Sequence, residues 1–479
     1  RLAGAARDAL GDMNGAPEAM QFDTLIKGAL LVTMDATRRI IKDGAIGITG
    51  DRISWIGKTA ETTTFEARET IDGRRFAATP GFVNGHIHIT GEPITRGFIP
   101  DNTGFSENVW GWLVPLYNAQ TPEDERISAQ FAALDMLRNG ITSFIEAGTI
   151  RHLDDVVDAL VSTGIRGRVG QWCEDRAFDP SENQTAKTDA AVKVLDSMLA
   201  RYSPRKQTRI SAWPSLVGHM TCTDELWKIA AALAKTHGAG VSAHMSPVDA
   251  DPEWYVANTG KRPIAHLAAQ DVLSAQICFT HAIHVEQEEV DILAQTKANV
   301  THCPMAALKG AYGATAVGKF PEMQAQGVNI MLGTDGANNG NSGDLMRAMY
   351  LLAGLFKDAR RDPNAISTYQ ALEAATLNGA RGLGMASELG ALAIGMKADI
   401  VLHDLDRPEW RPVLNPVNQL VWSADGRGVH SVWVDGQRVV EAGRCTTIDE
   451  ERLYAEVERL APALIARAGL SIPNQWPVI

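Results

Sequence analysis

The stretch Pro80-Gly81-Phe82-Val83-Asn84-Gly85-His86-Ile87-His88 carries two imidazoles two residues apart in an apolar run of strand character. On an extended strand side chains i and i+2 share a face, so His86 and His88 can both reach one cation. A His-x-His pair alone is a weak signal, and the rest of the chain supplies what it lacks. Outward from it, His244 closes the run GVSAH, His281 closes ICFTH, His302 closes ANVTH and Asp335 closes IMLGTD. Every one ends a β-patterned segment. In a parallel barrel the C-terminal ends of all strands open onto one face, which gathers residues distant in sequence into one pocket.

The texture of the chain agrees with such a barrel. From 80 to 391, apolar segments such as GITSFIEAG, RGRVGQW, RISAWPS and VNIMLGTDG alternate with stretches of helical spacing, which predicts βα units and a parallel eight-stranded sheet. Residues 20–79 hold short strands broken by Gly and Asp turns, and similar strands return over 392–445. Both ends are therefore expected to build one accessory β-domain. Residues 446–479 form a terminal helix and tail, with Leu453, Val457, Leu460 and Leu464 at helical spacing and Pro462 expected to bend or interrupt it. Residues 1–19 lack patterning and read as a flexible leader.

With 479 residues, 45% hydrophobic and 21% charged, the chain has a globular composition. Its formal charge of -12 opposes association with nucleic acid or anionic lipid. No apolar run approaches the ~20 residues of a membrane span, and a cytoplasmic enzyme is expected. Five scattered cysteines, with no Cys-x-x-Cys spacing, read as reduced thiols rather than a disulfide framework.

Three imidazoles and a carboxylate, His86, His88, His244 and Asp335, suit one divalent metal ion: zinc first, with cobalt, iron or manganese as alternatives. A bound cation can lower the pKa of its water to about 7. Asp335 is then both ligand and proton acceptor, and His281 is the second catalytic candidate, placed to bond the nucleophile or shuttle a proton.

At this point the chain resembles the metal-dependent amidohydrolase superfamily from about Phe22 to Gly443. The opening motif is Pro80 to His88, the closing motif Gly333-Thr334-Asp335-Gly336, and Gly395-Met396-Lys397-Ala398-Asp399-Ile400-Val401 returns the chain to the β-domain. The resemblance implies an α/β fold, a distorted (β/α)8 TIM barrel with a composite β-sandwich from both termini, and homo-oligomerisation. Thr301-His302-Cys303-Pro304 and the segment from Trp110 to Pro115 resemble the branch of methylthioadenosine and adenosylhomocysteine deaminases and triazine hydrolases.

Two departures bear on the substrate. Deaminases of that branch carry a glutamate three residues after the strand-five histidine, where this chain has Pro247, with Asp249 as a stand-in if it folds back. A serine-asparagine pair after the strand-seven proline is replaced by Ala306-Ala307 following Met305. A pocket of Met and Ala with aromatic walls suits a small, weakly polar substrate, and Trp112, Trp172, His302 and Met305 are the expected substrate contacts, with Phe105 and Trp110 as further wall. The leading expectation is hydrolysis of the C–N or C–S bond of a urea, carbamate, thiocarbamate or amide, resembling phenylurea and molinate hydrolases. The alternative is an aminohydrolase or chlorohydrolase of a nitrogen heterocycle. A non-catalytic scaffold on the same fold is the reading of another class, and the complete ligand set argues against it.

Overall fold

The computed structural model describes residues 20–206, 209–474 and 476–479; the expected leader, 1–19, lies outside the described residues. Eight strand positions follow one another in parallel: Phe82–Ile87, Ile141–Glu146, Arg166–Val169 continued by Trp172–Cys173, Ile210–Ala212 continued by Ser215–Gly218, Val241–Met245, Ile277–His281, Asn299–His302 and Ile330–Leu332. Their residues are buried almost throughout, as strands must be when helices cover them. Helices including Pro122–Arg138, Asp224–His237 and Leu345–Arg360 lie between strands in sequence.

The barrel is distorted in two places, and both have local causes. Strand four is split at Trp213-Pro214, where proline has no N–H for a ladder, and strand three breaks after Val169. Strands one and two with the first halves of three and four therefore form one sheet, and the second halves with strands five to eight form another. Backbone bonds from Trp213 N to Val169 O (2.9 Å) and from Ser242 N to Pro214 O (3.0 Å) hold the halves together. At the opposite seam, strands one and eight meet through side chains. Asn84 donates to Thr334 Oγ1 (2.7 Å) and accepts from Thr334 N (3.1 Å), while Asp335 N donates to His86 O (3.0 Å).

The two ends of the chain meet in a nine-stranded sheet. Its order is Arg444–Cys445, Gln437–Glu441, Val429–Val434, Ile400–Asp404, Phe76–Pro80, Gln21–Val32, Ile40–Thr49 and Arg52–Lys58, with Glu66–Asp72 paired beside Gln21–Val32. Ile53 N donates to Met396 O and Gly395 N to Ile53 O, so the edge strand folds back toward the middle of the sheet. Ile26, Leu31, Ile46, Ile53, Ile400 and Trp433 fill a core of their own inside that curl.

The terminal helix, Glu450–Arg467, continues through Pro462 rather than being interrupted by it. Its buried Leu453, Leu460 and Leu464 and the ion pair of Arg467 with buried Asp124 hold it against the body. Tertiary packing here outweighs the missing hydrogen bond of one proline. All five cysteines are buried and unbridged. Among the described residues, no helix is long and apolar enough to cross a membrane.

Barrel and sheet are joined by a buried charge cluster. Arg166, on strand three, donates to Asp399 (2.5 Å) and to Asp435, both at the start of or beyond sheet strands. Removing one partner of a buried pair strands the other charge. Arg166→Met is expected to cost about 3–5 kcal/mol, read as a lower thermal midpoint; an unchanged midpoint would mean that the cluster does not join the two parts.

Candidate metal centre

The side chains predicted from strand ends come together where the strands of the barrel finish. His86, His88 and His244 offer ligand atoms all within 4.8 Å of one another, and Asp335, His281 and Cys303 form a second such group. The groups adjoin. Asp335 Oδ1 lies 3.3 Å from His88 Nε2 and 3.6 Å from His86 Nε2, and Asp335 Oδ2 lies 3.9 Å from His281 Nε2.

Each of the three imidazoles is turned by a partner on its far nitrogen. His244 Nδ1 donates to Val217 O (3.0 Å), His86 Nδ1 is 2.9 Å from Thr280 Oγ1, and His88 Nδ1 is 3.1 Å from the Tyr117 hydroxyl. With Nδ1 occupied, Nε2 is the atom left to face the centre. His86 Nε2 and His88 Nε2 are 3.2 Å apart, and both face a carboxylate oxygen. Lone pairs so close repel unless a positive charge lies among them. A proton on His88 would be such a charge. Burial opposes it, but the bonds to Asp335 and the nearby Glu92 hold His88 above its ordinary value. Burial also opposes ionisation of Asp335, yet its bonds to His86 and His88 keep its carboxyl well below the usual range. Burial pushes His244 well below its ordinary value and His281 down to about 3. The donor set of neutral imidazoles and one carboxylate fits a divalent cation, which would take the proton's place.

Backbone strain gathers at the same rim. His219, Ser246, His281, Ala282 and Asp335 all have positive φ, between 45° and 77°, at or just after strand ends. Non-glycine residues hold that conformation only where surrounding contacts enforce it. At His281 the reason is visible. Thr280 already faces His86, so strict strand alternation would turn His281 outward, and its φ of 77° breaks the strand and brings the ring to Asp335.

His302 shows the alternation unbroken. Thr301 faces Gly85 of strand one inside the barrel, and His302 therefore points to the helical layer, its ring 3.9 Å from that of Phe320 and 5.9 Å from that of Phe356. That packing corrects its expected place as a substrate contact. Trp172 stands with its ring 5.9 Å from both His88 and His244, and Gly148 (φ 107°) makes room for it, since a Cβ there would lie 2.2 Å from the indole. Trp112 packs on Phe98 (5.7 Å), and Met305 is buried against the loop after Asp335. Trp110 is 62% exposed and forms no wall. Phe105 does line the rim, 5.9 Å from His219 and 5.5 Å from Tyr312, whose ring in turn lies 5.7 Å from His281.

The place of the missing glutamate is answered differently from the expectation. Asp249 is exposed and does not fold back. The buried carboxylate here is Asp251, in the first turn of the helix Ala250–Thr259, which accepts from Ser246 N (2.7 Å) and from His219 Nδ1 (2.7 Å). The His219 ring stacks at 5.6 Å on that of His244. His219 closes the run SLVGH just as the other histidines close theirs, so the same signal could have identified it. The pattern of histidines at strand ends does not single out Asn84, Glu92, Tyr117, Glu146 or Cys303. Burial pushes Glu146, at the end of strand two, up to about 7 against its bonds from Thr149 and Gly148.

Comparison with known proteins places this geometry. Residues 77–439 match the Amidohydrolase family. The chain is 31% identical over 439 residues to the 5-methylthioadenosine/S-adenosylhomocysteine deaminase of Moorella thermoacetica, covering 91% of this chain and 98% of that protein. Among solved structures it is similar to an adenosine deaminase from Xanthomonas campestris with bound zinc (TM-score 0.84, 25% identity, 94% of this chain and 100% of that one). It shares its fold with atrazine chlorohydrolase from Arthrobacter aurescens complexed with zinc (TM-score 0.83, 24% identity, 92% and 100%).

His244→Ala is expected to purify without zinc while its far-ultraviolet circular dichroism matches the parent. Retention of the parent's zinc stoichiometry by elemental analysis would remove His244 from the ligand set. For the parent, free zinc at 100 times its Kd should stabilise the fold by about 2.7 kcal/mol, seen as a higher thermal midpoint that a chelator reverses.

Proposed function

Since this chain belongs to the amidohydrolase family, acting on carbon–nitrogen bonds other than peptide bonds with a divalent metal, we propose that its substrate is an amino-substituted nitrogen heterocycle of the purine nucleoside type, from which it releases ammonia. The observation that carries the reading is the convergence of His86, His88 and His244 on Asp335 beneath a rim of flat rings, Trp172, Phe105 and Tyr312. Flat rims suit a planar ring, which gains contact area and offset stacking there. The relatives aligned over nearly their whole length support the same choice.

A divalent cation held by His86, His88, His244 and Asp335 supplies Lewis acidity and lowers the pKa of water. The chain's own groups do the rest. Asp335, ionised and buried, accepts the water's proton through a carboxylate oxygen. His281, neutral and turned inward by its backbone, donates to charge developing on the substrate. His219 is held by Asp251 through Nδ1, which fixes Nε2 as the atom offered to the ring nitrogen or leaving group. Trp172 and Tyr312 exclude bulk water from the reacting atoms.

One observation favours cleavage of a urea, carbamate or thiocarbamate instead. Pro247 and the apolar Ala306 and Met305 leave few groups able to bond a heterocycle's nitrogens. The assay that separates the two readings is turnover by zinc-loaded protein against aminopurine nucleosides, aminotriazines, phenylureas and thiocarbamates. Ammonia from the aminopurine nucleosides is expected; activity confined to phenylureas or thiocarbamates would overturn the heterocycle reading. His219→Ala should lower kcat/KM by about 100-fold, within the usual range for losing a proton-transfer group.

A further inference from the structure

Glu92 is a fully buried carboxylate four residues beyond His88, in a stretch of otherwise uncharged residues, Ile89 to Thr95. Isolated buried carboxylates are costly unless hydrogen bonds or a nearby charge compensate them. Here the compensation comes from two directions. Oε1 accepts the hydroxyl proton of Tyr117, and Oε2 accepts the backbone N–H of Asn338 at 2.8 Å. One contact leads to His88 and the other to the loop that follows Asp335. The two metal-ligand segments, 247 residues apart in sequence from His88 to Asp335, thus share one carboxylate.

We infer that Glu92 and Tyr117 form a positioning pair, which sets the tautomer of His88 and ties it to the Asp335 loop so that the ligands stand ready for a divalent cation. The inference rests on the reading of His88 and Asp335 as metal ligands. The proton count supports it. An ionised carboxylate only accepts, so with Glu92 ionised the Tyr117 hydroxyl proton is committed to it. The Tyr117 oxygen, 3.1 Å from His88 Nδ1, is then an acceptor, and Nδ1 must carry the proton. His88 Nε2 is left to face His86 Nε2 and Asp335 Oδ1. Had Tyr117 been phenylalanine, either ring nitrogen of His88 could hold the proton.

The Asp335 side of the clasp is equally built. A Cβ on Gly336 would lie 2.1 Å from the Glu92 carboxylate, so glycine is required directly after the ligand. Asn338 is itself held on both faces: its side chain donates to Thr95 Oγ1 (3.1 Å) and accepts from Gly97 N (2.9 Å), and Lys309 Nζ donates to its carbonyl (2.7 Å). The loops after strands one and eight are therefore tied to each other around Glu92. Tyr117 is also packed edge-on against Trp172 at 5.5 Å, which stops the phenol from swinging away. Outer-sphere partners of this kind act on metal affinity by orienting ligands and fixing their protonation.

The test compares the parent with Tyr117→Phe, Glu92→Ala and Glu92→Gln in zinc competition against a chelator, in the visible spectrum of the cobalt-substituted protein, and in the thermal midpoint of the metal-free chain. Tyr117→Phe is expected to weaken zinc binding by about 10- to 100-fold and to shift the cobalt bands, with the metal-free midpoint near that of the parent. Glu92→Ala should weaken zinc binding more strongly and, by leaving the Asn338 N–H unpaired, lower the metal-free midpoint as well, and Glu92→Gln, which can still accept the phenol proton, should recover part of the loss. Parental zinc affinity and an unchanged cobalt spectrum in Tyr117→Phe would overturn the pair while leaving the metal reading intact. So would a fall in the metal-free midpoint with no change at the metal, which is the mark of packing alone. A parent that binds no zinc would overturn both readings.

Discussion

Two imidazole nitrogens and a carboxylate oxygen within 3.2 to 3.6 Å of one another, in a buried site, form a constellation that needs a positive charge. Water cannot screen the repulsion there, so the lone pairs are held together by what surrounds them and by whatever cation they share. The surroundings are long-range: Thr280 from strand six, Val217 from strand four and Tyr117 from the helix after strand one each hold the far nitrogen of one ring. The barrel supplies a common end for eight strands, and these three contacts turn the Nε2 atoms of His86, His88 and His244 toward one another there.

The same demand explains the distortions of the fold. A regular barrel would close strands one and eight by a ladder, but here the seam is carried by Asn84 and by the Asp335 N–H. Asp335 can then depart from strand geometry, with φ of 61°, and present its carboxylate to His86 and His88. Positive φ at His281 and Ser246 belongs to the same pattern. Conformational cost at the rim is offset by hydrogen bonds below it, including that of Asp251 to Ser246 N. Strain and ligand geometry are two descriptions of one arrangement.

The rim above the centre is where this chain differs in chemistry from a simple ligand cage. Flat rings dominate it, and its polar groups are few and held: His219 by Asp251, Glu146 by Thr149 and Gly148. A pocket with little hydrogen-bonding capacity discriminates weakly between substrates of similar shape, because rejecting an analogue depends on leaving a buried polar group unpaired. On the heterocycle reading proposed above, selectivity would rest on the fit of a ring between Trp172, Phe105 and Tyr312 and on the single imidazole of His219.

How much of this was written in the chain follows from the range of the forces involved. Hydrophobic alternation and the i, i+2 spacing of His86 and His88 are local, so strand positions, the β-character of both ends and the strand-end histidines are legible in the sequence alone. The inward turn of His281 against the outward turn of His302 is not, since both close similar runs, ICFTH and ANVTH, and only the backbone after each strand separates them. Glu92 reads in sequence as one acid in an apolar stretch, and Asp251 as one of several in a loop. Their roles arise from hydrogen bonds to Tyr117, Asn338, His219 and Ser246, between 5 and 246 residues away. Amino-acid order determined which ligand types exist and that they end strands. Tertiary structure alone decided which nitrogen of each ring faces the centre, because that choice is made by a partner from another strand or helix.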